Sequence, residues 1–218
     1  MKMFEVKKSF GWSGKLSDKA GRLCRLFGLS ADFLRERSQE YNCTINIKAG
    51  DIVYITGPSG AGKSVLLAEL EKQIPKEKKI NLSQIELSSQ KSVLDCIDFD
   101  LTKSLEILNS AGLSEVYCIL KQPIFLSDGQ KERFRLAMAL SSGKKIIIAD
   151  EFCSQLDSIT AVCVAYNVRR YADRYDRTFL LAGCREDIIA DLQPDVLVVK
   201  DLAGKTKVIY KDISRLEH

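Results

Sequence analysis

The sequence predicts an α/β fold built around a mainly parallel sheet, and three observations carry this prediction. Short apolar runs that suit buried strands alternate along the chain with longer segments of helical periodicity. The run Ile146–Ala149 is apolar at every position, as expected of a central parallel strand covered on both faces. A glycine-rich turn at 57–62 lies between the strand-like run Ile52–Thr56 and a helix-like run at 63–73. Strands and helices that alternate in this way form parallel sheets.

The other elements follow from the same periodicities and from the residues that end them. Alternation predicts an edge strand within 1–10 and a strand at 44–47, while a helical stripe runs through 17–40. Pro75 ends the helix at 63–73, and residues 80–87 are expected to form a strand or an extended loop. The later patterns predict helices within 91–120 with a break at 111–113, helices at 128–142, 158–174 and 186–192, and strands at 178–182, 195–200 and 206–210.

Composition and charge exclude several classes of protein. Hydrophobic residues at 45% and charged residues at 28% are ordinary for a soluble globular domain. The net charge of +4 does not indicate a nucleic-acid partner, which a clustered basic face would. Seven cysteines without a CxxC pair are typical of reduced cytoplasmic thiols and not of a disulfide framework or zinc site. No run approaches the ~20 apolar residues that span a bilayer. No signal peptide is visible, so we expect a cytoplasmic protein.

Residues 57–64, GPSGAGKS, form a phosphate-binding loop. The stretch matches the pattern G-x4-G-K-[ST] at every position. Its glycines let the backbone turn so that successive N–H groups point at phosphate oxygens, and the positive end of the following helix adds to that field. Lys63 is expected to reach the β- and γ-phosphates of ATP, and the Ser64 hydroxyl to hold Mg²⁺. The expected nucleotide contacts are Gly57, Pro58, Ser59, Gly60, Ala61, Gly62, Lys63, Ser64 and Val65.

A pair of carboxylates, Asp150 and Glu151, directly follows the buried strand predicted at Ile146–Ala149. The carboxyl end of a central strand faces the crevice in which α/β sheets bind ligands. Asp150 can therefore hold Mg²⁺ there, through water. Glu151 can orient or deprotonate the water that attacks the γ-phosphate. The alternative is that these are acidic residues at an ordinary helix start. The presence of the phosphate loop favours the functional interpretation over this alternative.

The segment LSDGQ at 126–130 precedes a predicted helix and lies ahead of the carboxylate pair. A serine hydroxyl, a glycine N–H and a helix N-terminus together form an anion site. Because the chain already has one phosphate loop, this second site is best used on the nucleotide of a partner molecule. The alternative is an ordinary capping serine followed by a glycine.

The order of these motifs resembles that of the ATP-binding cassette (ABC) ATPase family over about residues 44–200. The matching motifs are the phosphate loop, the LSDGQ signature with Arg133 three residues after Gln130, the strand ending in Asp150-Glu151, and then SQLD at 154–157. The resemblance implies a P-loop core with an inserted helical subdomain. It also implies a head-to-tail homodimer that closes on two ATP molecules, each held between the phosphate loop of one copy and the signature of the other.

The resemblance also assigns roles to further residues of this sequence. It implies that Ser127, Gly129 and Gln130 act on ATP across the interface, and that Asp157 couples the two ATP sites. Gln84 is the candidate for the glutamine that senses Mg²⁺ and the γ-phosphate, with Gln90 in reserve and an exposed glutamine without a role as the alternative. The adenine is expected to stack on an aromatic ring ahead of the first core strand. The candidates, in order, are Phe33, Phe27 and Tyr41.

Three features depart from the family pattern. The interval between Lys63 and Gln84 is too short for the extra antiparallel strands that transporter ATPases usually place there. Asp128 stands in the signature where glycine is usual, and its charge should repel a partner's phosphates unless it points away or pairs with a cation. Cys184 and Arg185 follow the strand at 178–182, where the family generally has a histidine. Arg185 could contact the γ-phosphate as a fixed positive charge, or be an ordinary solvated arginine.

These departures, with FGL at 27–29 and LQPDVLV at 192–198, make the chain similar to a soluble ABC-type subgroup that is often joined to a predicted acetyltransferase domain. The leading hypothesis is therefore an ATPase whose dimer closure acts on an acetyltransferase or another soluble partner. The alternatives are the nucleotide-binding subunit of a membrane transporter, with a permease as partner, and a slow or non-hydrolysing ATP switch. A DNA-repair type ATPase ranks last, because no coiled-coil heptads interrupt the chain.

We expect a single ABC-type ATPase domain over residues 1–215. Residues 1–43 would form an N-terminal strand and helix, 44–90 and 143–215 the nucleotide-binding core, and 91–142 the helical subdomain that ends in the signature helix. Residues 216–218 resemble the start of a purification tag.

Overall fold

A computed structural model describes residues 2–10, 17–30, 39–87, 90–202 and 205–211. Within these ranges, strands and helices alternate as the sequence predicts. The strands are β1 Lys2–Phe10, β2 Gln39–Ile47, β3 Ile52–Thr56, β4 Lys79–Asn81, β5 Ile146–Ala149, β6 Thr178–Ala182, β7 Val196–Lys200 and β8 Thr206–Tyr210. The α-helices are α1 Asp18–Leu26, α2 Lys63–Lys72, α3 Leu101–Ser110, α4 Val116–Ile119, α5 Asp128–Ser141, α6 Ser158–Tyr175 and α7 Ile189–Leu192.

The main sheet has six strands in the order β4-β5-β6-β3-β7-β8. Its first five strands are parallel, and β8 closes the edge antiparallel to β7. Strand β6 lies between β3 and β5, so the strand before the phosphate loop and the strand before Asp150 end at the same edge of the sheet. Ligands bind at that carboxyl edge in open α/β sheets. The predicted mainly parallel sheet is confirmed.

The central strands are apolar because both faces of the sheet are covered. All five residues of β3 are buried, and the side chains alternate between two hydrophobic clusters. Ile52 and Tyr54 face the cluster formed with α3, α5 and α6, whereas Val53 and Ile55 face the cluster formed with α2, β1 and β2. The same double coverage accounts for β6, which is buried throughout.

The N-terminal strands form a separate antiparallel pair. β1 pairs with β2 from Lys2 opposite Ile47 to Phe10 opposite Gln39. The buried side chains of this pair, among them Phe4 and Ile45, pack in the same cluster as helix α2. The edge strand predicted within residues 1–10 is therefore present, but it adds to this pair and not to the main sheet.

Three predicted segments are shorter or more interrupted in the structure than the sequence predicts. Helix α1 ends at Leu26, Gly28 adopts a left-handed φ of 64°, and β2 already begins at Gln39, so the predicted helical stripe over 17–40 is too long. In the described part of that stripe, the apolar side chains of Leu23, Leu26, Phe27 and Leu29 are exposed. Residues 91–120 contain a 3-10 turn and the helices α3 and α4, and the predicted break at 111–113 lies between these two helices. In place of a longer strand or extended loop, 80–87 contain the end of the three-residue strand β4 and a 3-10 turn.

Two further expectations can be compared with the structure. All seven cysteines are free, in agreement with reduced thiols. No helix in the described ranges is long and apolar enough to cross a bilayer. The subdomain boundaries stay predictions, and residues 216–218 lie outside the described residues.

Candidate functional site

The phosphate loop connects β3 to α2, and its first residue must be glycine. Gly57 has a φ of 144°, and a Cβ there would lie 2.2 Å from the carbonyl oxygen of Lys200 on the neighbouring strand β7. No side chain fits into that space. The loop then enters α2 at Gly62, which as N-cap offers no side-chain acceptor to the first N–H groups of the helix. The positive end of α2 is thus available to an anion.

Lys63 lies on the first turn of α2 and folds back over the loop. Its Nζ donates to the carbonyl oxygens of Gly57 and Pro58, both at 2.8 Å. These two bonds hold the ammonium group above the loop, where phosphate oxygens would offer it stronger, charged acceptors. Ser64 follows Lys63 on the same turn. The loop therefore has the shape and charge for a nucleotide phosphate.

The carboxylates Asp150 and Glu151 lie where β5 ends, at the same sheet edge as the loop. Asp150 Oδ1 accepts a hydrogen bond from the backbone N–H of Glu151 at 3.0 Å. Glu151 has a φ of 53°, a left-handed conformation that residues with a Cβ rarely adopt. Both residues are exposed at this edge.

One cavity of about 480 Å³ brings these groups together. Its walls are Ser59, Gly60 and Gly62 of the phosphate loop, Lys63, Ser64 and Val65 at the start of α2, Asp150 and Glu151, Ser154 and Gln155, and Gly183, Cys184 and Arg185 after β6. The structure thus brings together the predicted phosphate loop, two of the three predicted metal ligands, Ser64 and Asp150, and the predicted general base Glu151. Ala61 is buried, and Gly57 and Pro58 contribute through the carbonyls that hold Lys63.

Arg185 lies at this cavity but is bound to the protein. Its guanidinium makes five hydrogen bonds, to both carboxylate oxygens of Asp187, the carbonyls of Cys153 and Leu156, and the Ser158 hydroxyl. An arginine has five N–H groups, so none is left over for a phosphate. A contact between Arg185 and the γ-phosphate stays a prediction, and it would require the guanidinium to leave some of these acceptors.

The signature residues cap helix α5. Ser127 Oγ accepts from the Gln130 N–H at 3.3 Å, and Gln130 Oε1 accepts from the Ser127 N–H at 3.0 Å, which completes a capping box. The Asp128 side chain is 82% exposed and lies 3.5 Å from the Lys131 ammonium. Asp128 therefore points outward and has the cationic partner that the sequence argument required. A Cβ at Gly129 would lie 2.9 Å from the carbonyl of Gln155.

The remaining predicted residues lie apart from the cavity. Gln84 is exposed at the end of a 3-10 turn, and the neighbouring Ser83 lines a second cavity of about 520 Å³ that also borders Asp150 and Glu151. The Asp157 carboxylate caps helix α6 by accepting from the Thr160 N–H at 2.9 Å. Hydrogen bonds from the side chain and then from the backbone of Thr160 lower the pKa of Asp157.

The candidates for adenine stacking stay predictions. Phe33 lies outside the described residues, as does the side chain of Tyr41. Phe27 is exposed at the end of α1. Gln90, the reserve for Gln84, is also exposed, and its carbonyl accepts from Gln122.

Sequence reasoning missed Glu132, on the first turns of α5. Its carboxylate accepts from the N–H groups of Cys153 at 2.6 Å and Gln155 at 3.3 Å, and burial raises the pKa of Glu132 above its ordinary value. In the sequence Glu132 lies between Lys131 and Arg133, a charged run that normally indicates a solvated helix face. Ser154 and Gln155 were quoted only as part of a motif, although both line the main cavity.

Comparisons with known proteins agree with this geometry. A family model described as ABC transporter matches residues 41–99. The aliphatic sulfonates import ATP-binding protein SsuB 1 of Paracoccus denitrificans is 27% identical over 197 residues, which cover 83% of this chain and 78% of the relative. The dimeric cassette of a bacterial ABC transporter superposes with a TM-score of 0.67 at 19% identity, over 96% of this chain and 98% of that one.

The aliphatic sulfonates import ATP-binding protein SsuB of Pseudomonas putida is 30% identical over 193 residues. The match covers 76% of this chain and 70% of the relative. Together with the phosphate loop, the carboxylates at the end of β5 and the superposed fold, this similarity establishes the family. The chain belongs to the ABC family of ATP-binding proteins and is an ATPase.

Proposed function

We propose that this chain is the ATP-hydrolysing subunit of a membrane ABC transporter and that it works as a homodimer with ATP and Mg²⁺. The observation that carries the proposal is the cavity shared by Lys63, Ser64, Asp150 and Glu151. Relatives named as import ATP-binding proteins support the transporter assignment over the soluble-partner reading that the sequence favoured.

Each of these four residues has a role that suits its position. Lys63 leaves the carbonyls of Gly57 and Pro58 to contact the β- and γ-phosphates. The Ser64 hydroxyl and the Asp150 carboxylate are hard oxygen ligands in one cavity, and Mg²⁺ in nucleotide sites uses one or two such groups beside the phosphates. The bound cation supplies charge neutralisation at the β- and γ-oxygens. Glu151 accepts the proton of the water that attacks the γ-phosphate.

The dimer is supported by where the signature lies. None of the residues 127–130 borders the cavity of the phosphate loop in the same chain. The N-terminus of α5, with Ser127, Gly129 and Gln130, is exposed or half-buried and therefore accessible to a partner molecule. A second copy in head-to-tail orientation brings this helix end to the nucleotide, with Asp157 near the junction. Two copies then contribute to each ATP site.

An exposed apolar surface between α3 and the signature supports a membrane partner. Five side chains within residues 116–125 are each more than half exposed, namely Val116, Tyr117, Leu120, Ile124 and Phe125. Apolar surfaces of this extent on an ordinary monomer mark interaction sites. We assign to it an apolar segment of the membrane subunit, because the relatives are import ATP-binding proteins.

The alternative, an acetyltransferase or another soluble partner, has one observation in its favour. Only residues 73–78 separate α2 from β4, so the short interval seen in the sequence holds no additional strand. The chain therefore lacks, between α2 and β4, the extra antiparallel strands that transporter ATPases usually have in this interval. Partner identity is therefore what the second experiment below measures.

The first experiment measures ATP hydrolysis and oligomeric state together. Wild type, Glu151→Gln and the control Glu77→Gln, an exposed carboxylate far from the cavity, are assayed for turnover and run on size-exclusion chromatography with ATP and Mg²⁺. We expect turnover in wild type and control, and an ATP-dependent dimer without turnover in Glu151→Gln. Unchanged turnover in Glu151→Gln would remove Glu151 as the base. A wild type that dimerises without hydrolysis would favour the ATP switch.

The second experiment identifies the partner. Tagged wild type and the double variant Tyr117→Lys/Phe125→Lys are used to capture partners from detergent-solubilised membranes and from the soluble fraction of the source cell, and mass spectrometry identifies the captured proteins. We expect wild type, and not the variant, to retain a protein with several membrane-spanning segments. Retention of an acetyltransferase or another soluble protein in its place would overturn the transporter assignment.

A further inference from the structure

We propose that Glu132 and Arg185 position the general base Glu151 by holding the turn 151–157 from its two sides. The inference rests on the proposed ATP hydrolysis. It gives Arg185 a role that does not involve a phosphate and gives Glu132 a role that the motifs do not assign.

The turn needs support from outside because its backbone is unfavourable by itself. Glu151 and Cys153 have φ values of 53° and 60°, and neither is a glycine. A Cβ makes this left-handed conformation costly. Residues other than glycine keep this left-handed conformation only where surrounding contacts hold the backbone in place, as they do at functional sites.

The hydrogen bonds of the turn show where that support comes from. Two of its N–H groups bond locally: Ser154 donates to the Glu151 carbonyl at 2.9 Å and Leu156 to the Cys153 carbonyl at 3.3 Å. Phe152 donates to the carbonyl of Ala182 on β6 at 2.8 Å. The N–H groups of Cys153 and Gln155 both donate to the Glu132 carboxylate, one to each oxygen. One side chain on α5 thus satisfies two donors of the turn.

Arg185 holds the opposite side through the carbonyl oxygens. Its Nη1 group donates to Cys153 and to Leu156, while Nη2 donates to the Ser158 hydroxyl at 2.8 Å. The Asp187 carboxylate accepts from Nε at 3.0 Å and from Nη2 at 2.6 Å, which fixes the plane of the guanidinium. Cys153 is therefore bound through both its N–H and its carbonyl.

The Glu132 contacts connect the turn that carries Glu151 to the signature helix α5. Glu132 and Gly129 lie on the first turns of α5, and the Gln155 carbonyl approaches Gly129 so closely that no Cβ fits there. Movement of α5 therefore acts on the turn directly. If α5 carries the partner's ATP, as proposed, the position of Glu151 depends on whether that second ATP is present.

The first test measures the clamp itself by amide hydrogen exchange of the segment 150–157. Glu132→Gln keeps one acceptor oxygen and loses the other, and Arg185→Lys keeps the charge but cannot reach all four acceptor groups. We expect the amides of residues 153 and 155 to exchange about tenfold faster or more in both variants. The control variants Glu106→Gln and Arg174→Gln break an ion pair between α3 and α6, away from the cavity, and should leave this segment unchanged. Unchanged exchange in either clamp variant would overturn the proposal.

The second test separates positioning from phosphate contact. A misplaced base lowers kcat, so we expect a fall of about 10- to 100-fold in Glu132→Gln and in Arg185→Lys. The dissociation constant for ATP should stay within about threefold of wild type, because neither residue touches the nucleotide. In the double variant the fall in kcat should be smaller than the product of the two single falls, because both residues act through one turn.

The results of these two tests show whether the positioning role or the proposed ATP hydrolysis is wrong. If Arg185→Lys keeps wild-type turnover while Arg185→Gln binds ATP weakly, Arg185 acts as a phosphate contact and the positioning role is wrong. Multiplicative effects in the double variant would also contradict a shared turn. If wild type hydrolyses no ATP, the proposed function fails, and hydrogen exchange alone still decides whether Glu132 and Arg185 hold the turn. Circular dichroism of each variant confirms that it is folded.

Discussion

The phosphate loop and the turn 151–157 border the same cavity, but they are held in different ways. The loop is shaped mainly from within eight consecutive residues, where glycines allow the turn and Lys63 bonds back to the carbonyls of Gly57 and Pro58. The turn is shaped by two charged side chains that are distant in sequence, Glu132 and Arg185. Binding of phosphate can thus be encoded locally, whereas placement of the base depends on the packing of two other elements.

The largest effect that we expect is a loss of ATP turnover when the phosphate loop loses its lysine. Lys63→Met removes the cation that we propose contacts the β- and γ-phosphates, and we expect turnover to fall by about 100- to 1,000-fold. The control Lys72→Met lies on the same helix and loses only an exposed ion pair with Glu69, so its turnover should match wild type. Turnover and nucleotide affinity are measured for both. A Lys63→Met protein that hydrolyses ATP at the wild-type rate would show that the loop is not the phosphate site.

The next effect tests the one place where the loop depends on a neighbouring strand. Gly57→Ala places a methyl group against the Lys200 carbonyl and should lower the free energy of unfolding by about 3 kcal/mol. Gly60→Ala shares the positive φ but meets nothing within 4 Å, so its cost should be about 1–2 kcal/mol. Urea unfolding of the two variants compares them directly. Equal losses would mean that the approach of β7 does not constrain the loop.

The same contrast explains which parts of the molecule could be predicted. Strands β3, β5 and β6 are continuous apolar runs because both faces are buried, and α5 carries a capping box in its own sequence, so these elements follow from local patterns. The phosphate loop is a local motif with local geometry. These features needed no knowledge of distant contacts.

Other features depend on contacts that spacing does not reveal. The apolar stripe of α1 suggested a long packed helix, but Leu26 and Phe27 are exposed and the helix ends before Gly28. Arg185 was expected at a phosphate because it follows β6, yet Asp187 and two carbonyls occupy its donors. Glu132 looked like part of a solvated charged run. Each of these outcomes is decided by which residues the fold brings together.

A smaller effect concerns the charge that supports the turn. Burial raises the pKa of the Glu132 carboxyl, although the N–H groups of Cys153 and Gln155 and the charges of Arg135 and Arg185 act in the opposite direction. The folded protein therefore holds the proton to higher pH than the unfolded chain does. Stability from this group is greatest below the ordinary glutamate pKa of about 4.3 and declines as pH rises through the raised value.

The measurement is the free energy of unfolding of wild type minus that of Glu132→Gln between pH 3 and pH 7. We expect this difference to decrease as pH rises above the ordinary glutamate pKa. Glu106→Gln is the control of opposite sign, because Lys103 lowers the pKa of the exposed Glu106. There the difference should increase with pH through the range below the ordinary glutamate value. A rising curve for Glu132 would mean that its hydrogen bonds outweigh its burial.

The smallest effect concerns Asp128, the residue by which the signature departs from the family pattern. Its carboxylate is exposed and lies 3.5 Å from the Lys131 ammonium, so its charge is already compensated and points into solvent. We expect Asp128→Asn to change the dissociation constant of the ATP-dependent dimer by less than about threefold. Lys131→Gln leaves the carboxylate without its cation and should weaken the dimer more, since an uncompensated charge then lies near the partner's phosphates. Analytical ultracentrifugation with ATP and the hydrolysis-deficient Glu151→Gln background compares the two. If Asp128→Asn strengthens the dimer greatly, the charge of this one residue sets how tightly the two copies bind. The signature, which the partner contributes to the ATP site, would then be governed by its own sequence, as the phosphate loop is and the turn 151–157 is not.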